Sequence, residues 1–186
     1  MVSLFSLVLP IVISAVFVFI ASSILHMVVP FHHGDFKKLP REDDVQTALR
    51  GFNIAPGNYA LPCGSGPKDM KNPAFIEKMT KGPVAFITVG PSGPPAMGTA
   101  LAQWFVYAIV ISLFAGYIAS RALGTGAHYL AVFRFVGCSA FMAYAFGLIH
   151  MAIWYRRSWR TTCLDVFDSL VYALLTAGTF GWLWPR

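Results

Sequence analysis

The chain has 186 residues, of which 56% are hydrophobic and 12% charged, and a mean hydropathy of +0.62. Soluble domains carry about 25% charged residues, so this composition excludes an ordinary soluble domain and leaves room for one membrane domain without a large soluble companion. The net charge of +6 does not point to nucleic acid: there is no basic helix and no RNA-binding motif, and the Lys and Arg residues stand at the ends of apolar runs, where membrane orientation and anionic head groups account for them.

Four runs reach the roughly 20 apolar residues needed to cross the hydrocarbon core. They are predicted from about Leu4 to Val28, Ala100 to Ser120, Tyr129 to Trp154 and Leu164 to Trp184. The fold class is therefore all-α integral membrane, four transmembrane helices with a small cap of short helix and extended segments between the first and second. Residues 1–29 read as an anchor, 30–99 as the cap and 100–186 as a three-helix membrane unit. The first run has no Lys or Arg before it, exceeds the roughly 7–15 residues of a signal-peptide core and is followed by no A-x-A site, so it reads as a retained anchor with Pro10 in its first turns.

All Lys and Arg except Arg121, Arg134 and Arg186 lie either between the first two spans or in the short loop Arg156-Arg157-Ser158-Trp159-Arg160. The positive-inside rule puts both of those stretches in the cytoplasm and both termini outward.

Within the cap, Pro40 to Phe52 reads as a helix with Glu42, Asp43 and Asp44 in its first turn, Arg50 in its last and Gly51 at its end, as the helix dipole favours. Residues 55–62 read as a turn followed by an extended piece. Asn72 is placed to cap a second helix with Pro73 at its first position, running through Met79. The apolar run Val84 to Val89 is bounded by Gly and Pro and reads as a strand, buried in the cap, lying at the interface or re-entrant. Pro91 to Gly98 is an elbow into the second span.

The order of Asp44-Val-Gln-Thr-Ala-Leu-Arg50, Pro56-Gly57-Asn58-Tyr59, Asp69-Met70-Lys71, Lys81-Gly82-Pro83-Val84, the Gly90 to Gly98 stretch and Gln103-Trp104-Phe105-Val106-Tyr107 resembles a family of uncharacterised small bacterial inner-membrane proteins. The resemblance implies bacterial origin and a four-span plan, and carries over no activity and no catalytic residues.

Counting outward from the loops sets Gln103, His150 and Asp168 at one depth near the cytoplasmic side, with Asp165 on the face of Asp168 at i, i+3 and His26 near the same level. Three readings stay open. His150 and Asp168 could bond two helices together. They could form a proton or ligand site, with His150 titrating and Asp168 orienting it. Or His26 and His150 could hold a metal or haem. His32-His33 before Asp35 is either a metal-binding patch or a pair of solvated interfacial histidines. Cys63, Cys138 and Cys163 form no CxxC pair and suggest neither a disulfide framework nor a zinc site.

No GxSxG, HExxH, CxxCH or dinucleotide fingerprint is present, which leans away from an enzyme, and no cofactor is expected. Ala173, Ala177 and Gly181 form a small-residue row suited to close helix packing, as do Gly116 and Ser120. The expected role is a structural or accessory membrane component. The alternatives are a small oligomeric transporter or proton- or ligand-binding protein using the polar cluster, and a haem- or metal-binding redox protein. The expected partners are the lipid bilayer and a homo-oligomer or membrane-complex partner.

Overall fold

The computed structural model describes all 186 residues. They fall into two compact units, one made of Met1–Phe36 with Ala96–Arg186, the other of Lys37–Pro95. The first holds four long helices: α1 (Val8–Met27), extended at its start by a 3₁₀ turn over Leu4–Leu7, then α4 (Met97–Ala122), α5 (Tyr129–Tyr155) and α6 (Trp159–Trp182). All four are long and apolar enough to cross a membrane, and the protein is a four-span membrane bundle. The second unit carries α2 (Glu42–Gly51), β1 (Gly57–Leu61), α3 (Pro73–Lys81) and β2 (Ala85–Val89).

The four-helix unit follows the packing logic of lipid rather than of water. Large apolar side chains such as Phe17, Ile20, Phe114, Phe146 and Leu174 face outward, while Ala15, Ala108, Ala115, Ala119, Ala140, Ala173 and Ala177 are buried. Small inward residues let helix backbones approach closely where no hydrophobic effect drives association. Each helix packs on two others in the cyclic order α1, α4, α5, α6. Gly137 on α5 faces the Ala177 methyl of α6, and Phe180 of α6 fills the notch left by Gly116 of α4. The Ser14 and Ser112 hydroxyls join α1 to α4 in the core at 3.0 Å.

Both termini are tied down at the end that carries the α4–α5 turn. The Val2 amide donates to the Ser120 carbonyl at 3.2 Å, and Arg121 reaches the Val2 carbonyl at 3.1 Å. The Trp184 indole donates to the Gly124 carbonyl at 2.9 Å. At the opposite end α5 stops at Arg156, whose left-handed φ of 56° turns the chain, and α6 resumes after three residues. The helix begins at Trp159, earlier than the Leu164 that hydropathy alone selects. Polar residues can extend the span there because their groups find partners: Arg160 donates to the Phe31 carbonyl at 3.0 Å, and Thr162 Oγ1 to the Ser158 carbonyl at 3.0 Å.

In the second unit the apolar run is strand β2, paired antiparallel with β1 in the register Gly57↔Val89 to Leu61↔Ala85. Thr88 Oγ1 bonds Asn58 Oδ1 across that pair at 2.9 Å. The Asn72 side chain caps α3 by accepting from the Ala74 amide at 3.0 Å, with Pro73 next. The expected division at residue 29 moves. Residues 30–36 belong with the helix bundle, because Pro30 stops α1 and starts a 3₁₀ turn over Pro30–His32 that folds back onto α6.

The glycine contacts give a test of this packing. A Cβ at Gly181 would lie 2.6 Å from the Tyr129 ring and one at Gly116 2.7 Å from Phe180, whereas one at Gly147 meets nothing within 4 Å. Gly116→Val and Gly181→Val should each lower stability by about 1–3 kcal/mol through overpacking. Gly147→Ala should be neutral or slightly stabilising because Ala is the better helix former. Thermal unfolding in mild detergent reads the difference, and equal losses at Gly116 and Gly147 would show that the packing is otherwise.

Candidate functional site

At the end of the bundle with the α5–α6 turn, three segments bring ionisable side chains together. The last turn of α1 supplies His26. The 3₁₀ turn after Pro30 supplies His32 and, just beyond it, Asp35. The second and third turns of α6 supply Asp165 and Asp168. Local chemistry sets each of these in place. Val29 is extended, as a residue before proline prefers, and the chain then tightens so that the Asp35 amide donates to the His32 carbonyl at 3.1 Å. Phe31 seats against Phe167 of α6 edge-on at 6.4 Å. The Trp104 indole donates to Ser22 Oγ at 2.8 Å and fixes α4 against the end of α1.

Asp168 is the centre of the site. It is 2% exposed, and its ion-pair partners are His32, whose Nε2 lies 2.9 Å from Oδ2, and His26, whose Nδ1 lies 3.8 Å from the same oxygen. The other carboxylate oxygen has no hydrogen-bond partner. His32 is bound on both sides, because its Nδ1 lies 2.7 Å from Asp35 Oδ2. An imidazole that faces a carboxylate oxygen at each nitrogen is favoured as the imidazolium, the form that donates from both. Burial works against that charge, but the Asp35 hydrogen bond and the charges of Asp168 and Asp35 outweigh it and hold the His32 pKa above its ordinary value. Burial likewise works against the Asp35 carboxylate, and the His32 hydrogen bond and charge outweigh it, so its pKa lies below the ordinary value. Arg160 Nη1 stands 3.6 Å from Asp35 Oδ1. The His26 and His32 rings stack with centroids 4.5 Å apart and planes 7° from parallel.

Beside Asp168 lies a cavity of about 190 Å³. His26, Asp165, Asp168 and Ser169 form its polar wall, and Trp104, Tyr107, Tyr144, Tyr172 and Leu148 the rest. The aromatic rings pack on one another at centroid distances from 5.4 Å for Trp104–Tyr107 to 6.5 Å for Trp104–Tyr144. The buried hydroxyls of Tyr144 and Tyr172 have no partner within the protein.

Of the four residues assigned to the site from sequence, Asp165 and Asp168 line this cavity, while His150 and Gln103 are exposed on the bundle surface. The expected contact between His150 and Asp168 is not formed. His150 lies against Tyr155, ring centroids 6.1 Å apart, because depth along a helix does not fix rotation about it. The pair His26 and His150, considered for a metal or haem, is likewise not brought together; His26 stacks on His32 instead. His32, read from sequence with His33 as a metal-binding patch or an interfacial pair, was set apart from this cluster, and its contact with Asp168 is what sequence reasoning missed. Its signal was there in Pro30, which breaks the helix, and in the His-His-Gly-Asp that follows. Cys63, Cys138 and Cys163 are free and exposed and take no part. Compared with models of protein families, with curated proteins and with solved structures, the chain matches none of them.

Two outcomes follow from the pairing. His32→Ala strips Asp168 of its nearest counter charge and should cost about 3 kcal/mol or more, as breaking buried pairs does. His150→Ala should stay within about 0.5 kcal/mol of wild type. The second outcome concerns pH. A histidine whose folded pKa is raised contributes stability that is fully present below its unfolded value of 6.5 and is lost as pH rises through the folded value. In chelator-containing buffer the unfolding midpoint should therefore fall as pH is raised from 6.5, and His32→Ala should flatten that decline. A decline of the same steepness in the variant would assign the pH dependence to other groups.

Proposed function

We propose that this protein is a four-span membrane protein whose work is done by a cation-binding site at one end of its helix bundle. The observation that carries the reading is the buried carboxylate of Asp168, which has two histidines beside it and no Lys or Arg among its ion-pair partners. A charge taken out of water must be compensated, and a histidine compensates it only while protonated. The adjoining cavity is walled by four aromatic side chains, and aromatic rings attract cations that lie over their faces. Its volume of about 190 Å³ suits a metal ion with waters or a small ammonium ion, since each water takes about 30 Å³ of liquid.

A structural or accessory role draws less support. Ala173 and Ala177, two members of the row that suggested a partner helix, are buried inside the bundle, and the third, Gly181, is covered by Tyr129. The eleven Lys and Arg of residues 37–81 and of the α5–α6 turn, against three elsewhere, favour an orientation with the site on the cytoplasmic side and both termini outside. The resemblance of residues 44–107 to small bacterial inner-membrane proteins favours that membrane.

Two measurements test the reading. Thermal unfolding of wild type and Asp168→Asn in mild detergent is followed with increasing methylammonium chloride or ZnCl₂, with NaCl matching ionic strength. At least one of the two salts should raise the wild-type midpoint saturably, by the equivalent of about 2.7 kcal/mol at a hundredfold excess over Kd, and leave Asp168→Asn unmoved. No response that depends on Asp168 would remove the proposal. For orientation, a single cysteine at position 158 on a cysteine-free background should resist an impermeant thiol reagent in intact cells and react after permeabilisation. Labelling in intact cells would invert the topology.

A further inference from the structure

We propose that His26, His32 and Asp168 bind one divalent transition-metal ion of the Zn²⁺ class, with Asp35 holding the His32 ring from behind. This rests on the cation-site reading above and names the class of cation.

The three residues come from three different segments, α1, the Pro30–His32 turn and α6, and their ligand atoms all lie within 4.8 Å of one another. The distances suit a shared ion. Metal–nitrogen and metal–oxygen bonds of about 2.0–2.2 Å span the 2.9 Å between His32 Nε2 and Asp168 Oδ2 at an angle of about 90°. The same bond lengths span the 3.8 Å between His26 Nδ1 and Asp168 Oδ2 at about 135°. Both angles fall within the range of distorted four- and five-coordinate sites. To ligate, the His26 ring, now stacked on His32 with Nδ1 3.1 Å from the Ser22 carbonyl, turns out of the stack and gives up that contact, so that an in-plane nitrogen lone pair meets the ion.

Asp35 supplies the outer partner that metal-bound histidines have. Its Oδ2 stands 2.7 Å from His32 Nδ1, which fixes the ring with Nε2 toward Asp168 and makes that nitrogen a better donor. Asp168 brings a carboxylate 2% exposed whose Oδ1 has no partner, so a second oxygen is free to complete the coordination or to hold a bound water. Two imidazoles and one carboxylate suit zinc and its neighbours, whereas calcium and magnesium require oxygen ligands throughout. Charge points the same way. Asp165 is neutralised by Arg157 at 2.6 Å, and Arg160 lies near Asp35 at 3.6 Å, but Asp168 is paired only with histidines; a divalent ion takes the place of the proton on His32 Nε2, which leaves to solvent, and supplies the counter charge in its stead. A second grouping of His32, Asp35 and Asp165 shares the same histidine. There Asp165 is taken up by Arg157, so the first grouping is the site.

The test uses the full chain purified in mild detergent, stripped with a chelator and dialysed. Binding is measured by calorimetric titration with ZnCl₂ and by the visible absorption that CoCl₂ gains in a low-symmetry nitrogen and oxygen site. Wild type should take one ion per chain. Asp168→Asn and His32→Gln should lose saturable binding, and the half-exposed His26→Gln, which removes a ligand without opening the core, should weaken it at least tenfold. Asp35→Asn should keep the stoichiometry and weaken affinity about 10–100-fold, an effect that a merely structural role for Asp35 would not produce. His150→Gln should bind as wild type does. No saturable binding of either ion to wild type overturns the proposal, and so does unchanged binding in both Asp168→Asn and His26→Gln. If ZnCl₂ fails while methylammonium still stabilises wild type and not Asp168→Asn, the cation site stands without its metal. If both fail, the two proposals fall together.

Discussion

A carboxylate cannot remain charged among closely packed helices without a counter charge, and the membrane end of this protein is arranged around that requirement at Asp168. The residue sits on the inward face of α6, out of reach of the arginines in the neighbouring turn. What reaches it comes from the far end of the sequence. The chain leaves α1 at Met27, breaks at Pro30 and folds back, so that His32 contacts a residue 136 positions away. Phe31 packs on α6 in the same movement, and Arg160 takes the Phe31 carbonyl. The turn is held by apolar contact, by a backbone hydrogen bond and by an ion pair, and each depends on the others being in place.

That arrangement sorts the charges of this end into two kinds. Asp165 and Arg157 satisfy each other nearer the surface, where solvent weakens such pairs. The line Asp35, His32, Asp168 runs inward and becomes steadily less exposed, with side-chain exposures of 12%, 6% and 3%. A charge on this line is felt strongly because little water screens it. The aromatic cluster of Trp104, Tyr107, Tyr144 and Tyr172 seals the inner side. The only polar atoms it offers there are hydroxyls, and two of these lack a partner in the protein. The end cavity joins an inward carboxylate to two tyrosine hydroxyls without a partner in the protein, whereas Ser14 and Ser112 in the core close on each other.

The four spans, the short helices of the second unit and the Asn72 cap of α3 were legible in the residues themselves. Twenty-residue apolar runs, the acidic start of α2, and Asn72-Pro73 at the start of α3 are local signals, and each acts through backbone hydrogen bonding or burial within a few residues. The strand at 85–89 was legible too, but its pairing with residues 57–61 was not, because alternation does not name a partner. The one span boundary that moved by more than a turn, the start of α6, moved because polar residues found partners that hydropathy cannot see.

The site divides along the same line. By itself the sequence determined that Asp168 lies within a span at the depth of His26, since residue counts along rigid helices convert directly into height. It could not decide which histidine meets the carboxylate. His150 shares that height and faces outward toward Tyr155; His32 lies outside every span and is the one in contact. Rotation of a helix about its axis depends on which faces of all four helices pack together. The path of a seven-residue segment after a proline depends on what it can dock against. Both are decided by packing over the whole bundle, so only the tertiary structure could join His32 to Asp168.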